Sequence, residues 1–251
     1  MNRLENKVAI VTGGTSGMGK ATCKLFAEEG AKVVVAGRRQ EQGDAVVAEI
    51  REKGGEATFV KTDLSKPEDL ENLVARTVET YGGIDVLIND AAFYSTKPMA
   101  DLPLDEWNYS WAVNVTAPFY LSKIAIPYMQ KRGAGRIVNI SSIAGAQSKY
   151  GCAAYTSTKH AVLGLTKAIA REYGPTIRAN CIMPGAVMTP MLEPATKTPE
   201  GQASIKAMVA DSNVKRVGQP EEIAQVCLFF ATDESSFVAG QCVRVDGGLD
   251  L

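Results

Sequence analysis

Histidine is nearly absent from this chain: among 251 residues only His160 carries an imidazole. A zinc site built on histidines and clustered cysteines has too few ligands here. A Ser-His-Asp hydrolase would have to rest on that single base. Cysteine is sparse as well. Cys23, Cys152, Cys181, Cys227 and Cys242 are an odd number with no C-x-x-C spacing. They read as scattered small apolar side chains in a reducing cytoplasm, not as a disulfide framework. No apolar run reaches 18 residues, which argues against a membrane span. The short run Val8–Val11, after a polar start, is too brief for a signal peptide. Neither sign of charge dominates, and the net charge of -1 offers no footprint for nucleic acid or an anionic membrane. What is left is ordinary globular composition, with 45% hydrophobic and 22% charged residues, at a length that one α/β core can accommodate.

Apolar, β-branched runs recur along the chain with amphipathic stretches between them. Strands are expected at Lys7–Val11, Lys32–Ala36, Ala57–Lys61, Val86–Asn89, Arg136–Ile140, Arg178–Ile182 and Gln241–Val245. Helices are expected at Gly19–Glu29, Gln40–Lys53, Pro67–Tyr81, Trp107–Lys131, Ala153–Tyr173 and Pro220–Ala231. Leu70, Leu73, Val74, Thr77 and Val78 share one face at helical spacing. Pro67 after Ser65 is a helix-start signal. Strands alternating with helices imply right-handed crossovers and a doubly wound α/β fold, with a parallel sheet of about seven strands covered on both faces. No linker divides residues 1–251. The Pro190, Pro194 and Pro199 stretch breaks the pattern, and residues 188–213 are expected to form a substrate lid.

The first strand runs into Thr12-Gly13-Gly14-Thr15-Ser16-Gly17-Met18-Gly19 and then a helix. Glycines at 13, 17 and 19 let the backbone turn tightly and approach a pyrophosphate, where the helix N-terminus offers free N–H groups. The spacing G-x-x-x-G-x-G after Thr12 resembles the opening of the short-chain dehydrogenase/reductase family. The resemblance implies a Rossmann-like fold and a nicotinamide dinucleotide held by Gly13, Thr15, Ser16, Gly17, Met18 and Gly19.

The second strand ends at Gly37, followed by Arg38 and Arg39. An acid at this point would take the ribose 2′-hydroxyl of NAD, whereas arginine suits the 2′-phosphate of NADP. The expected cofactor is therefore NADP, with NAD as the alternative and solvated surface charge as the bland explanation of the two arginines. Asp63 and Leu64 look like the family's adenine contact. Asn89-Asp90-Ala91-Ala92 stands where the family usually has Asn-Asn-Ala-Gly. Asn89, Asp90 and Ala91 are expected at the cofactor ribose, with Asp90 putting a carboxylate in place of an amide.

Tyr155 and Lys159 lie four apart on a helix, so phenol and ammonium share a face. This Y-x-x-x-K spacing occurs at only one of the eight tyrosines. A cation within about 4–6 Å can lower a tyrosine pKa from ~10 by roughly 1–3 units, which makes the phenol a usable acid and base. The resemblance places the family's serine at Ser142, with Ser141 as the competitor. It gives Asn114 a role in ordering a proton relay to Lys159, beside the plainer reading of a helix-packing amide. Pro184, Gly185, Val187 and Thr189 resemble the family's turn beside the nicotinamide. His160 is read as structural. The expected function is hydride transfer between NADP(H) and a small-molecule alcohol or ketone in the cytoplasm, and the resemblance implies a homotetramer. A dinucleotide-binding sensor or scaffold is the alternative. Phe93, Tyr94, Gln147, Tyr150, Met188, Met191 and Met208 are expected around the substrate.

Overall fold

Val8-Ala9-Ile10-Val11 begins an inner strand of the sheet, and every one of these side chains is buried. In the computed structural model, which describes residues 2–249, the chain alternates strands and helices as β1 (Val8–Thr12), α1 (Gly17–Glu28), β2 (Lys32–Gly37), α2 (Gln40–Glu52), β3 (Glu56–Lys61), α3 (Pro67–Tyr81), β4 (Val86–Asn89), α4 (Leu104–Trp111), α5 (Ala117–Lys131), β5 (Gly135–Ile140), α6 (Ala153–Tyr173), β6 (Ile177–Pro184), α7 (Pro199–Asp211), α8 (Pro220–Ala231) and β7 (Cys242–Val245). Met1, Asp250 and Leu251, the ends of the expected 1–251 domain, lie outside the described residues.

The seven strands stand in the order β3-β2-β1-β4-β5-β6-β7, and every pairing is parallel. The order reverses between β1 and β4, which opens a crevice at the carboxyl ends of the strands. This is a Rossmann-like, doubly wound α/β fold. Strand alternation divides the core into two. Ala9, Val11, Val33 and Val35 face one way, toward Phe26 of α1, Val46 and Ile50 of α2, and Cys227 and Leu228 of α8. Ile10, Val34 and Leu87 face the other way, toward Leu73 of α3, Leu121 and Met129 of α5, and Ile169 of α6. Burial on both faces is why these strands read as continuous Val/Ile runs.

Two expected elements differ. The stretch Trp107–Lys131 is not one regular helix: it begins earlier, at Leu104, and a widened π-type turn over Ala112–Thr116 separates α4 from α5. Pro103 with Asp105 and Glu106 in the first turn explains the earlier start. Within the expected lid, only residues up to Thr198 are irregular or tightly turned, and α7 follows, capped by the Thr198 hydroxyl on the Gly201 N–H. Among the described residues no helix is long and apolar enough to cross a membrane.

Candidate active site

The turn after β1 is built by backbone conformations that side chains disfavour. Gly13 and Gly17 sit at positive φ, 71° and 53°. A Cβ on Gly19 would collide with the Gly13 carbonyl and stand 2.8 Å from the Asp90 Oδ2. Nothing larger than hydrogen fits there. The turn delivers the start of α1 to one wall of a cavity of about 400 Å³. That cavity is lined by Gly13, Thr15, Ser16, Gly17 and Met18, by Gly37, Arg38 and Arg39 after β2, by Asp63 and Leu64 after β3, and by Asp90 and Ala91 after β4. Thr189 closes the side at Gly17. Expected cofactor residues from five separate places in the chain thus meet in one groove.

The two arginines divide the far end between them. Arg39 donates through Nη2 to Thr15 Oγ1 at 3.2 Å and Ser16 Oγ at 3.0 Å. Arg38 donates to the Tyr109 hydroxyl at 2.9 Å. A Cβ on Gly37 would stand 2.8 Å from Thr15 Cγ2, so an acidic residue there meets a branched side chain with little room to yield. Asp63 turns its carboxylate to the Ser65 backbone and hydroxyl, at 3.0 and 2.8 Å. Asn89 lies apart from the groove: it is buried and donates to Asn139 on β5 at 2.8 Å, tying two strands together.

Asp90 is the unusual group. It accepts from the Gly19 N–H in the first turn of α1, while its Oδ1 is buried without a partner. Burial pushes its carboxyl up to about 7, against the pull of Lys159 and the Gly19 N–H.

A second cavity of about 490 Å³ adjoins the first and shares Met18, Thr189 and Met191 with it. Ser142, Tyr155, Pro184, Gly185 and Val187 line it. Helix α6 begins beside the turn that follows β5, which brings Tyr155 to Ser142, and the two hydroxyls hydrogen-bond. Ser142 also caps its own short turn, accepting from Ala144 N at 3.1 Å. Ser141 is engaged elsewhere, donating to the Lys159 carbonyl at 2.8 Å. Ser142, not Ser141, therefore faces Tyr155. The Lys159 ammonium donates to the Ile140 carbonyl at 2.8 Å and lies 5.5 Å from the centre of the Tyr155 ring. Burial holds it down at about 8. The Tyr94 ring meets Tyr155 edge-on at 4.8 Å.

The expected lowering of the Tyr155 pKa is not what this geometry produces. Burial raises the phenol, opposed chiefly by the Ser142 hydroxyl. Lys159 is itself desolvated, and its charge lies against the ring rather than at the oxygen. Asn114, inside the π-type turn, spends its amide on packing: it accepts from Phe93 N at 2.7 Å and donates to Phe93 O at 2.9 Å and Thr158 Oγ1 at 3.1 Å. It thereby pins the segment after β4 to α6. Among the described residues His160 bonds the Thr156 carbonyl, at 2.9 Å. No motif marks Tyr109; it stands on α4 and meets Arg38, the residue after β2, only in the folded chain.

A glycine cradle at a helix N-terminus, joined to a Ser-Tyr-Lys cluster on this strand order, matches what sequence comparison finds. Residues 13–250 match the family described as Enoyl-(Acyl carrier protein) reductase. The chain belongs to the short-chain dehydrogenase/reductase family. This short-chain dehydrogenase/reductase is 40% identical over 248 residues to the 2,5-dichloro-2,5-cyclohexadiene-1,4-diol dehydrogenase LinX of Sphingobium indicum, covering 98% of this chain and 97% of that one. It is 38% identical to the 3-oxoacyl-[acyl-carrier-protein] reductase FabG of Thermotoga maritima, over 98% and 99% of the two chains. It is 39% identical to Dehydrogenase/reductase SDR family member 4 of Bos taurus, over 98% and 88%. It is an oxidoreductase of a family that binds NAD(P).

Proposed function

We propose that this protein interconverts a secondary alcohol and a ketone with NADP(H), using Tyr155 as the proton-transfer group. The observation that carries the reading is the meeting of Ser142 and Tyr155 in one cavity beside the glycine-lined groove, with the Lys159 ammonium buried against the Tyr155 ring. The groove suits a dinucleotide: Gly13 and Gly17 line it without side chains, and the first turn of helix α1 opens onto it. Gly13, Thr15, Ser16, Gly17, Met18 and Gly19 would hold the pyrophosphate. Asp63 and Leu64 would meet the adenine, Asp90 and Ala91 the ribose, and Pro184, Gly185, Val187 and Thr189 the nicotinamide end. The bound reduced dinucleotide supplies the hydride.

The chain's own groups do the rest. Ser142 Oγ and Tyr155 Oη hold the carbonyl oxygen, and Tyr155 gives it the phenol proton as the C–O bond becomes single. In the reverse direction Tyr155 takes that proton. Lys159, buried against the ring, orients the phenol and favours its anion when charged. Asn114 keeps the segment at Phe93 in register with α6.

The reading of NADP rather than NAD is supported by Arg38 and Arg39 at the groove end and by the crowding that a side chain at position 37 would meet at Thr15. The substrate we infer is compact and uncharged. Tyr94, Ile143, Tyr150, Met191, Ile205 and Met208 give the second cavity an apolar and aromatic share of its lining, and the one lysine there, Lys149, lies 3.1 Å from Asp211. Residues 188–213 would close over it. Exposed Phe119 and Phe237 fit a homotetramer, and the free thiols fit a cytoplasmic setting. The alternative, a dinucleotide-binding sensor without turnover, draws on the buried carboxylate of Asp90 beneath the glycine turn.

The test is oxidation of NADPH and of NADH, followed by absorbance, with cyclic ketones, keto-esters and quinones, and reduction of NADP with ring diols. Faster turnover with NADPH is expected. Tyr155→Phe should lose at least about a thousandfold in kcat, general acid–base catalysis contributing ~10²–10⁴, while NADPH still binds. Residual turnover within tenfold of the unaltered enzyme would remove Tyr155 from the mechanism. Tight NADPH binding with no turnover on any substrate would favour the sensor.

A further inference from the structure

One end of the dinucleotide groove is spanned by a contact that no sequence motif announces. Arg38 leaves the end of β2, Tyr109 stands on α4, and the guanidinium Nη1 donates to the phenol oxygen at 2.9 Å. Both residues line the groove, with Arg39, Thr15, Ser16 and Asp63 between them. The Tyr109 ring is not free to wander. It packs edge-on against Phe93, with centres 5.0 Å apart and planes at 82°. The Phe93 backbone is in turn fixed on both sides by the Asn114 amide.

The charge at this end is uncompensated by direct contact. Arg38 bonds a neutral phenol, and Arg39 bonds the neutral hydroxyls of Thr15 and Ser16. Asp63, which feels the Arg38 charge, points its carboxylate into the Ser65 turn. Two guanidinium groups held by hydroxyls that can also donate make a site for a dianion. A phosphate accepts from both cations and from the hydroxyls without displacing any carboxylate.

We propose that Tyr109 is a specificity-determining residue for the cofactor: its hydroxyl holds Arg38 over the groove and donates its own proton to the ribose 2′-phosphate. The proposal rests on the reading of Arg38 and Arg39 as the NADP determinant and adds a second wall, from α4, to that subsite. The phenol oxygen accepts from Arg38 and its proton is left for the phosphate, so one group both orients the cation and binds the anion. A ribose bearing only a 2′-hydroxyl gains little from either.

The experiment is equilibrium binding by calorimetry on the purified enzyme, unaltered and as Tyr109→Phe, which keeps the ring and its packing on Phe93. The titrants are NADPH, NADH, and the pair 2′,5′-ADP and 5′-AMP, which read the adenosine end without the nicotinamide. The expected result is a loss of about tenfold or more in affinity for NADPH and 2′,5′-ADP, the scale of a hydrogen bond to a charged group. NADH and 5′-AMP should change by less than about twofold. Equal weakening of NADPH and NADH would make Tyr109 a packing residue and overturn the proposal, as would no change in either. If the unaltered enzyme fails to prefer NADPH over NADH and 2′,5′-ADP over 5′-AMP, the reading of the arginines fails first and Tyr109 with it. Arg38→Ala separates the cases: with Arg38 gone, Tyr109→Phe should weaken 2′,5′-ADP less than it does in the unaltered enzyme.

Discussion

Replacing Asp90 by asparagine should stabilise this protein, and the gain should depend on pH in one direction only. The carboxyl is buried under the glycine turn with one oxygen unpartnered and is raised from 3.8 to about 7. Well below pH 4 it is protonated in both the folded and the unfolded chain. Well above pH 7 it is ionised in both. Between the two the folded chain holds a proton that the unfolded chain has released, so stability falls as pH rises through that window. At ~1.4 kcal/mol per pKa unit the accumulated loss is ~4 kcal/mol at most, and we take ~2–4 kcal/mol for a partly hydrated site. Asparagine has nearly the same shape and does not ionise. The assay is urea unfolding of both proteins from pH 4 to pH 8.5, with stability compared at each pH so that other titrating groups cancel. The gap in favour of Asp90→Asn should open between pH 4 and 7 and stay level above, reaching about 5–10 °C in melting temperature for a chain of this size. A gap of constant size across the range, or one that closes as pH rises, would falsify the assignment of a buried, proton-retaining Asp90.

Two other outcomes follow from the same region. Gly19→Ala puts a methyl group against the Gly13 carbonyl and Asp90; we expect dinucleotide affinity, read by calorimetry, to fall at least about a hundredfold with ~1–3 kcal/mol of lost stability from overpacking. A melt shifted without loss of binding would mean the turn yields more readily than its geometry suggests. Asn114→Leu leaves the Phe93 N–H and carbonyl and the Thr158 hydroxyl without their amide partner. It should lower the urea midpoint by an amount worth ~2–3 kcal/mol, given ~1–3 kcal/mol for each buried group left unpaired and partial rescue by water. An unchanged midpoint would show that the segment after β4 is held by something else.

The strands were legible because a sheet covered on both faces needs unbroken Val/Ile runs, and Val8–Val11 and Val33–Val35 carry them in plain view. The glycine turn was legible because its glycines are required by backbone conformation, and Tyr155 with Lys159 because helical spacing alone places them together. What escaped depends on approach in space. Asn114 sits in a turn widened by one residue, which no helical period reveals. Tyr109 on α4 reaches Arg38 across 71 residues of sequence. Arg38 and Arg39 are neighbours in sequence, yet one bonds Tyr109 on α4 and the other Thr15 and Ser16 after β1. The direction of the Tyr155 shift was misjudged because desolvation is a property of the surroundings, and the sequence names only the neighbour four residues on. Asn89, placed at the cofactor by resemblance, turned out to brace β4 against β5.

The all-parallel sheet also dictates how this chain must assemble. No two neighbouring strands are joined by a tight hairpin, since each pairing needs a crossover. The first strand waits longest: β1 can zip to β2 early, but its other edge pairs with β4, and the Val8 N–H finds the Asp85 carboxylate 77 residues downstream. While a ribosome is still making that stretch, the growing fragment carries Val8-Ala9-Ile10-Val11 as an open, apolar edge with unpaired backbone groups, the kind of template that recruits other chains. Refolding from denaturant should accordingly be slow for a chain of this length and sensitive to protein concentration. Chains truncated just before β4 should precipitate where the full chain stays dispersed.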